Sequence, residues 1–525
     1  MAVDTGLFVA ITLAYLVIII GLGYLGYRQT KENDDYMVAG RKIHPVILAL
    51  SYGATFISTS AIVGFGGVAA QLGMGMIWLT VLNIGLGVLI AFVVFGKRTR
   101  EIGHKLRAVT FPDLMGKCYG SPFMQYAAGL VIVVGMPLYT AAILIGGAQF
   151  ITSTLQIPYN TSLIGFAAIV ALYVVLGGLI AVMYTDALQG GIMFVGMTIL
   201  LALTYVQLGG VIETNTALAG MSDLVPQALA AGGMTGWASM PAFGSSIWLT
   251  LVTTLVLGVG IGVLAQPQLV VRFMTVKDNQ ALNRAVLVGG PFILMMTGVA
   301  FTVGALTNVY FYRTQGVIAL QAATEGNVDT IIPNFINASM PDLFVVVFML
   351  ALLAAAMSTL SSLFHTMGTS LGFDVVRRTG SQRASMRPIQ VATVVMIVVS
   401  VILAFIMPGS IIARATAMFM GLCASAFLPA YAHAMYSSKP SLRAAKMSLV
   451  VGATAWFVWT AFVHIKESGA LGLSDLLFGV PAVLPMPWQV VDPLVIALPL
   501  STAALMVGWV LDRYGVPAEK AAEAA

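Results

Sequence analysis

The sequence predicts an all-α integral membrane protein with about 13 transmembrane helices. Of its 525 residues, 59% are hydrophobic and only 9% are charged, whereas soluble domains carry about 25% charged residues. Apolar runs of roughly 20 residues, the length that crosses a bilayer as a helix, recur along the whole chain. Two of these runs are interrupted by glycine and proline in matching places, five runs apart. The offset suggests two halves of five spans each. Because five is an odd number, the second half crosses the membrane in the opposite direction to the first, which predicts a core of two inverted five-helix halves.

Thirteen apolar runs give the predicted order of the chain. They lie near residues 6–26, 44–72, 76–96, 122–155, 160–178, 184–208, 244–270, 282–312, 342–371, 388–408, 410–435, 447–466 and 493–511. We expect a first transmembrane helix and inner loop at 1–43, a first inverted repeat at 44–208, an outer loop at 209–243, a second inverted repeat at 244–435, and additional C-terminal helices with a short inner tail at 436–525. Arg28 and Lys31 follow the first run. A signal peptide carries its positive charge before the apolar run, so we expect this helix to be retained.

The distribution of lysine and arginine predicts the orientation in the membrane. With the N-terminus outside, the predicted inner loops hold all of the 25 basic residues except Arg313, Arg414 and Lys466. Inner loops are enriched in lysine and arginine. We therefore expect a multi-pass protein of the cell (plasma or inner) membrane, with its C-terminus in the cytoplasm. The net charge of +5 is then an orientation signal, and no nucleic-acid surface is expected.

Several classes of function are disfavoured by what the sequence lacks. It has two cysteines, Cys118 and Cys423, and no spacing typical of a metal site. The motif GxxxxGK[ST] is absent, so ATP is not expected to drive the protein. No nucleophile–base constellation indicates an enzyme, no organic cofactor or obligate protein partner is indicated, and no repeated filter loop indicates a channel. A transporter and a transporter-like sensor of a small solute both remain open.

The two interrupted runs predict a binding site at the centre of the membrane. The second run contains LSYGATFISTSAIVGFGG at 50–67, and the seventh contains LGVGIGVLAQPQ at 257–268. Glycine loosens a helix and proline removes a backbone donor. In lipid, the freed carbonyl groups persist only where protein, water or an ion satisfies them. Close helix packing through small residues is the alternative interpretation.

The ninth run concentrates hydroxyl groups on one helical face. Ala355, Ser358, Thr359 and Ser362 are spaced i, i+3, i+4 and i+7, and Ser361 lies beside Ser358. Two adjacent hydroxyls and a freed carbonyl can form half of the shell of a small hard cation, and neutral oxygens hold such an ion loosely. Hydrogen bonding of these hydroxyls back to their own helix, or to a neighbouring helix, is the alternative.

Three stretches resemble the sodium:solute symporter family, which includes sodium/glucose, sodium/proline, pantothenate and monocarboxylate carriers. They are DYMVAGRKIHPVILALSYGATFIS at 35–58, LYVVLGGLIAVMYTDALQ at 172–189 and AQPQLVVRFMT at 265–275. The resemblance extends from about residue 30 to 440. It implies an inverted five-plus-five core of the LeuT type and a sodium-coupled symporter that imports a small organic solute by alternating access. The implied partners are sodium, the solute and the lipid bilayer.

The resemblance also implies two cation sites at matching positions of this sequence. The first would use the carbonyls of Ala54, Ile57 and Ala355 and the hydroxyls of Ser358 and Thr359. A second sodium, which some family members bind, would use Asp186, Ser358, Ser361 and Ser362.

Asp186 is also a candidate on physical grounds. It is the only charged residue between Lys117 and Glu213. A carboxylate in such a stretch is costly, which indicates a function. A structural role as the N-cap of the sixth helix is the alternative, since aspartate caps helices well.

The resemblance places the solute between the broken helices. The implied contacts are Phe56, Ser60, Gln149, Val259, Val263, Gln266 and Pro267. The two glutamines could equally join neighbouring helices. Phe56 stands where proline carriers have an acid, and Val259 and Val263 stand where they have aromatic residues. These differences favour a small organic anion, a carboxylate or an amino-acid-like solute, over proline, and an amino acid or proline symporter stays the alternative. No arginine in the cores of the two broken runs could pair with an anion.

Overall fold

The architecture of the protein is taken from a computed structural model that describes residues 5–376, 386–407 and 412–514. The described residues form 23 α-helices, joined in places by short 3-10 and π-helical segments, and contain no strand. Eleven helical stretches in this part of the chain are long and apolar enough to cross a membrane, and Pro45–Phe56 and Tyr159–Val175 are shorter apolar helices. Every predicted run overlaps one of these thirteen stretches. The predicted run ends at 408 and 410, the N-terminal four residues and the inner tail beyond 514 lie outside the described residues.

The first nine α-helices contain the first interrupted run. They are α1 (Thr5–Gln29), α2 (Asn33–Val38), α3 (Pro45–Phe56), α4 (Phe65–Leu72), α5 (Ile77–Leu82), α6 (Lys97–Lys105), α7 (Phe111–Tyr119), α8 (Pro122–Leu155) and α9 (Tyr159–Gln207). Helix α9 joins the predicted runs at 160–178 and 184–208, and it bends at Gly178, whose φ of 60° and ψ of −165° leave the helical region. Glycine adopts this conformation without the steric cost of a side chain.

The remaining helices contain the second interrupted run and the C-terminal helices. They are α10 (Val211–Ala219), α11 (Gln227–Ala231), α12 (Ser246–Leu249), α13 (Val259–Gly262), α14 (Pro267–Phe273), α15 (Asn279–Gln315), α16 (Ile331–Ser339), α17 (Asp342–Thr369), α18 (Arg387–Ile406), α19 (Ile412–Tyr436), α20 (Leu442–Phe462), α21 (Ile465–Leu471), α22 (Leu473–Phe478) and α23 (Pro493–Tyr514). Helix α17 carries the hydroxyl-rich face predicted from the ninth run.

Both predicted breaks are present in the structure. Helix α3 ends at Phe56, and the ψ of 98° at the next residue, Ile57, takes the backbone out of the helix before a π-helical segment begins at Ser60. The second break lies at Gln266, with ψ of 118°, and α14 then begins at Pro267. A residue before proline is pushed towards extended backbone, and proline is well tolerated at the first position of a helix. The prolyl ring therefore accounts for the position of the second break.

Helix α17 lies at the centre of the molecule. In its most apolar window 83% of residues are buried, compared with 22% in α1. It packs against α8, α9, α3 and α18. Large apolar side chains of α1, α18, α20 and α23 are instead exposed at the outer surface, as expected for helices that face lipid. The enclosure of α17 places its hydroxyl groups next to both α3 and α9.

Candidate cation and solute site

The hydroxyl-rich face of α17 contacts the end of α3 just before its break. Ser358 Oγ donates a hydrogen bond to the carbonyl oxygen of Ala54 at 2.9 Å. Thr359 Oγ1 donates to the carbonyl oxygen of Thr55 at 2.9 Å, and it lies 3.4 Å from that of Ala54. Both hydroxyls are fully buried. The predicted face and the predicted break are therefore brought together.

The same hydroxyls also bond to their own helix. Ser358 Oγ lies 3.1 Å from the carbonyl oxygen of Ala355, and Thr359 Oγ1 lies 3.2 Å from it. The alternative interpretation, hydrogen bonding of these hydroxyls to their own helix and to a neighbouring helix, is therefore present in the structure, and cation binding at this face stays a prediction. Each hydroxyl has a single proton and two lone pairs, so it could also serve as an ion ligand. Ile57 lies at the break itself, where its N–H bonds to Gly53 at 2.8 Å. The recorded hydroxyl contacts go to Ala54 and Thr55 rather than to Ile57.

This group of atoms has the composition of a site for a small hard cation. Backbone carbonyl oxygens from α3 and α17 converge with two hydroxyl oxygens, and all of these oxygens are neutral. Hard cations prefer oxygen ligands, and a site without a carboxylate binds them weakly. When a cation binds, each hydroxyl proton can turn away and leave a lone pair directed at the ion.

Asp186 lies next to this group and is fully buried. Its Oδ2 accepts hydrogen bonds from Ser51 at 3.0 Å and Thr55 at 3.1 Å, both on α3. From α17, Ser361 donates to Oδ1 at 3.2 Å and Ser362 to Oδ2 at 3.4 Å. The residues implied for a second cation are thus adjacent in space. The alternative of an N-cap is wrong, because Asp186 lies within α9, eight residues beyond the bend at Gly178.

Three residues of this cluster were not predicted from the sequence: Ser51, Thr55 and Arg272, of which Arg272 is the charged one. Its Nη2 lies 2.9 Å from Asp186 Oδ2, 2.6 Å from Thr55 Oγ1 and 2.5 Å from Ser362 Oγ. Its Nε donates to Ser51 Oγ at 3.1 Å, and the guanidinium group is buried. Arg272 lies beyond the second break, on α14, and so outside the cores of the two broken runs. A buried carboxylate requires a partner of opposite charge, and that rule would have led to this residue.

Two of the residues implied for the solute line a small cavity. Phe56 and Val259 face it together with Ser58, Thr297 and Thr416, and its volume is about 20 Å³. This space holds about one water molecule, whereas sites for small molecules occupy roughly 300–1,000 Å³. This cavity is therefore too small to hold an organic solute as it stands.

The polar residues implied for the solute have unsatisfied atoms. Among the described residues, Ser60 Oγ, Gln149 Oε1 and Gln266 Nε2 are buried without a hydrogen-bond partner. Gln266 Oε1 accepts from Gln268 Nε2 at 2.5 Å. Buried polar atoms are nearly always paired, so these orphaned atoms fit a role in binding a polar ligand. Val263 and Pro267 are buried at the second break.

Comparison with known proteins identifies the family. The model of the sodium:solute symporter family matches residues 36–452. The chain belongs to this family. The osmoregulated proline transporter OpuE of Bacillus subtilis is 26% identical to this symporter-family protein over 461 residues, which cover 87% of this chain and 89% of the transporter. The sodium/pantothenate symporter of Haemophilus influenzae is 28% identical over 352 residues, covering 66% and 68% of the two chains.

A solved structure confirms the fold of this symporter-family protein. A sodium-coupled sialic acid symporter, solved in a substrate-bound outward-open state, superposes with a TM-score of 0.72 at 15% identity. The match covers 95% of this chain and 96% of the other. The predicted all-α membrane fold with a LeuT-type core is therefore confirmed, as is membership of a family of membrane transporters.

Proposed function

We propose that the protein is a sodium-coupled secondary symporter that imports a small organic solute bearing a carboxylate. The observation that carries this proposal is the contact of Ser358 and Thr359 with the carbonyl oxygens of Ala54 and Thr55. It joins a hydroxyl-rich helix to a broken helix through neutral oxygens, which suits an ion that must be released in every cycle. Membership of the sodium:solute symporter family supports sodium as the ion.

Sodium at this position would couple ion binding to conformation. The expected ligands are the carbonyls of Ala54, Ile57 and Ala355 and the hydroxyls of Ser358 and Thr359. Because these groups belong to α3 and α17, an ion that binds them all fixes the distance between the two helices. An ion shifts a conformational equilibrium only by its difference in affinity for the two states. Sodium must therefore bind more tightly to the outward-open form, which then admits the solute.

The solute would bind at the centre, beside the two breaks. Gln266 Nε2 and Ser60 Oγ can donate hydrogen bonds to a carboxylate, and Gln149 Oε1 can accept one from an amine or a hydroxyl. Phe56, Val259, Val263 and Pro267 would supply the apolar walls. The similar transporters are named after proline, pantothenate and sialic acid, and each of these compounds carries a carboxylate. A set of polar groups that includes both donors and an acceptor suits an amino-acid-like anion.

The predicted topology forms part of the proposal. We place the N-terminus outside and the C-terminus in the cytoplasm, because that orientation puts nearly all lysine and arginine residues on the inner side. The regions 44–208 and 244–435 are then the two inverted repeats that move against each other. Fluorescent tags that report on the inner and outer sides of the membrane, fused at each end, test this orientation directly.

Uptake into reconstituted vesicles tests the function. A thermal-shift screen of small carboxylates, including proline and pantothenate, first selects a solute that stabilises the purified protein in sodium but not in potassium, since ligands stabilise the state they bind. Uptake of that solute should then require an inward sodium gradient, and lithium should be the best substitute for sodium. Equal uptake in potassium without a sodium gradient would rule the proposal out.

A further inference from the structure

A buried arginine lies where the second cation is expected. Nη2 of Arg272 contacts three of the surrounding oxygens at once, Asp186 Oδ2, Ser362 Oγ and Thr55 Oγ1, at 2.9, 2.5 and 2.6 Å. Its Nε contacts Ser51 Oγ at 3.1 Å. The guanidinium group therefore joins α3, α9 and α17, the same three helices that the two expected cation sites connect.

We propose that Arg272 is a tethered cation, and that the Arg272 guanidinium and a second sodium ion exclude each other at Asp186. This inference rests on the proposed sodium symport. Ions of this size lie about 2.3–2.6 Å from their oxygen ligands, as calcium does. An ion that binds Asp186 Oδ2 and Ser362 Oγ from the side on which Nη2 contacts both oxygens would therefore overlap with Nη2.

Charge balance leads to the same conclusion. Asp186 and Arg272 form a neutral pair in which both side chains are buried. Adding sodium at Asp186 beside the guanidinium group would place two positive charges next to each other at one carboxylate, and like charges repel strongly in a partly dehydrated setting. Sodium at Asp186 without the guanidinium group restores a neutral pair. The carboxylate therefore has one countercation at a time, and the choice lies between the arginine and the ion.

The position of Arg272 links this choice to the transport cycle. It lies on α14, a helix of seven residues that begins directly after the second break. Its Nη1 donates to the carbonyl oxygen of Gln268 on the same helix at 2.6 Å, so the side chain is held to α14. A movement of α14 about the break at Gln266 would withdraw the guanidinium group from Asp186. Access of a second sodium to the carboxylate is thereby made dependent on the position of α14.

Direct sodium binding to purified full-length variants tests the proposal. In Arg272→Gln the competing charge is gone, so radioactive sodium binding should show one more ion than in the natural protein, or at least tenfold tighter binding. Arg272→Lys, which keeps a tethered positive charge, should bind sodium like the natural protein. Adding Asp186→Asn to Arg272→Gln should abolish the gain. An unchanged sodium isotherm in folded Arg272→Gln would overturn the proposal.

A second variant keeps the test decisive if Arg272→Gln does not fold. The double variant Asp186→Asn and Arg272→Gln contains no buried charge at this position, and it should bind as many sodium ions as the natural protein. If the double variant binds one sodium ion fewer than the natural protein, Asp186 is a ligand of sodium in the natural protein even though Arg272 is present, and the proposal is wrong. Thr359→Ala separates this result from the proposed function. Sodium binding that depends on Thr359, without a gain in Arg272→Gln, removes only this inference, whereas no sodium binding at all removes both.

Discussion

Ser358 and Thr359 show how two hydroxyl groups can serve both as helix contacts and as ion ligands. Each donates its proton to a carbonyl oxygen of α3 and lies close to Ala355 on its own helix. In the proposed site, a bound cation would replace the hydroxyl protons as the partner of these carbonyls, so the oxygens would be satisfied with and without the ion. The alternation requires only rotation of the hydroxyl groups, which suits a site that fills and empties repeatedly.

Removal of either hydroxyl should weaken sodium binding. Ser358→Ala and Thr359→Ala each delete one of about five oxygen ligands, and the loss of a partner for a buried polar group costs about 1–3 kcal/mol. We expect the sodium concentration for half-maximal uptake to rise roughly tenfold or more, while Thr359→Ser, which keeps the oxygen, should have a mild effect. Thr369→Ala is the control, because that hydroxyl donates to His365 and Thr366 on α17. Equal sodium dependence in all four variants would show that the hydroxyls only pack.

Asp329 should make stability depend on pH. It is buried in the segment between α15 and α16, and burial raises the pKa of its carboxyl group to about 7, partly offset by the Ile412 backbone and the charge of Arg414. Because the pKa is higher in the folded than in the unfolded protein, the protonated form of Asp329 favours the folded state. Its contribution to the free energy of unfolding is complete below about pH 4 and is lost as pH rises towards 7.

The matching variant is Asp329→Asn. The amide does not titrate, so the decline in melting temperature between pH 5 and pH 8 should be smaller than in the natural protein. Melting followed by tryptophan fluorescence at several pH values measures this difference. Asp492, whose carboxyl pKa burial also raises to about 7, should retain its own contribution in the variant. Parallel melting curves for the natural protein and Asp329→Asn at every pH would contradict the assignment.

Glycine residues determine how closely the central helices approach. A methyl group on Gly304 of α15 would lie 2.2 Å from the carbonyl oxygen of Gly66 on α4. Backbone cannot move away as a flexible side chain can, so α15 and α4 would have to separate. Gly298 lies on the same helix, and a methyl group there would have nothing within 4 Å. Substitution of Gly304 and of Gly298 therefore tests whether close helix packing is the role of Gly304.

Gly304→Ala should therefore destabilise the protein, whereas Gly298→Ala should not. Overpacking of a tight contact typically costs about 1–3 kcal/mol, while alanine in place of an open helical glycine stabilises by about 0.4–1 kcal/mol. Thermal melting of both variants in the same detergent should place Gly304→Ala below the natural protein and Gly298→Ala at or above it. If the two variants melt together, the α4–α15 contact is looser than the structure indicates.

Helix breaks and helix faces could be predicted from the sequence where neighbouring residues alone determine them. The second break follows from Pro267, and the hydroxyl face of α17 follows from spacing along one helix. The role of Arg272 was not predictable in this way, because its contacts come from α3, α9 and α17, which are distant in sequence. Asp186 was recognised as unusual, but its local sequence suggested a cap. Only the continuity of α9 past Gly178 shows that it lies inside a helix.

At the scale of the whole molecule, composition and run length predicted the class, and motif resemblance predicted the LeuT-type core. Conformation could not be predicted in the same way. The volume of about 20 Å³ of the cavity beside Phe56 and Val259 depends on how several helices pack against one another, and the proposed alternating access would require the same sequence to adopt both open and closed forms. The identity of the solute depends on the open form of that cavity, which explains why residue types at its walls restrict the solute only to a chemical class.

The coupling of sodium and solute should be reciprocal. In the proposed mechanism both ligands favour the same arrangement of α3 and α17, so each must raise the affinity for the other by the same factor. Coupling energies of about 1–3 kcal/mol are typical, which correspond to roughly 5- to 150-fold changes.

Calorimetric titration of the solute at low and saturating sodium, and of sodium with and without the solute, measures both factors. Thr359→Ala should reduce the two factors together, because it weakens the ion contact through which the coupling acts. Equal solute affinity at low and saturating sodium would show that the two ligands bind independently, and an ion that binds independently cannot drive uptake by this route.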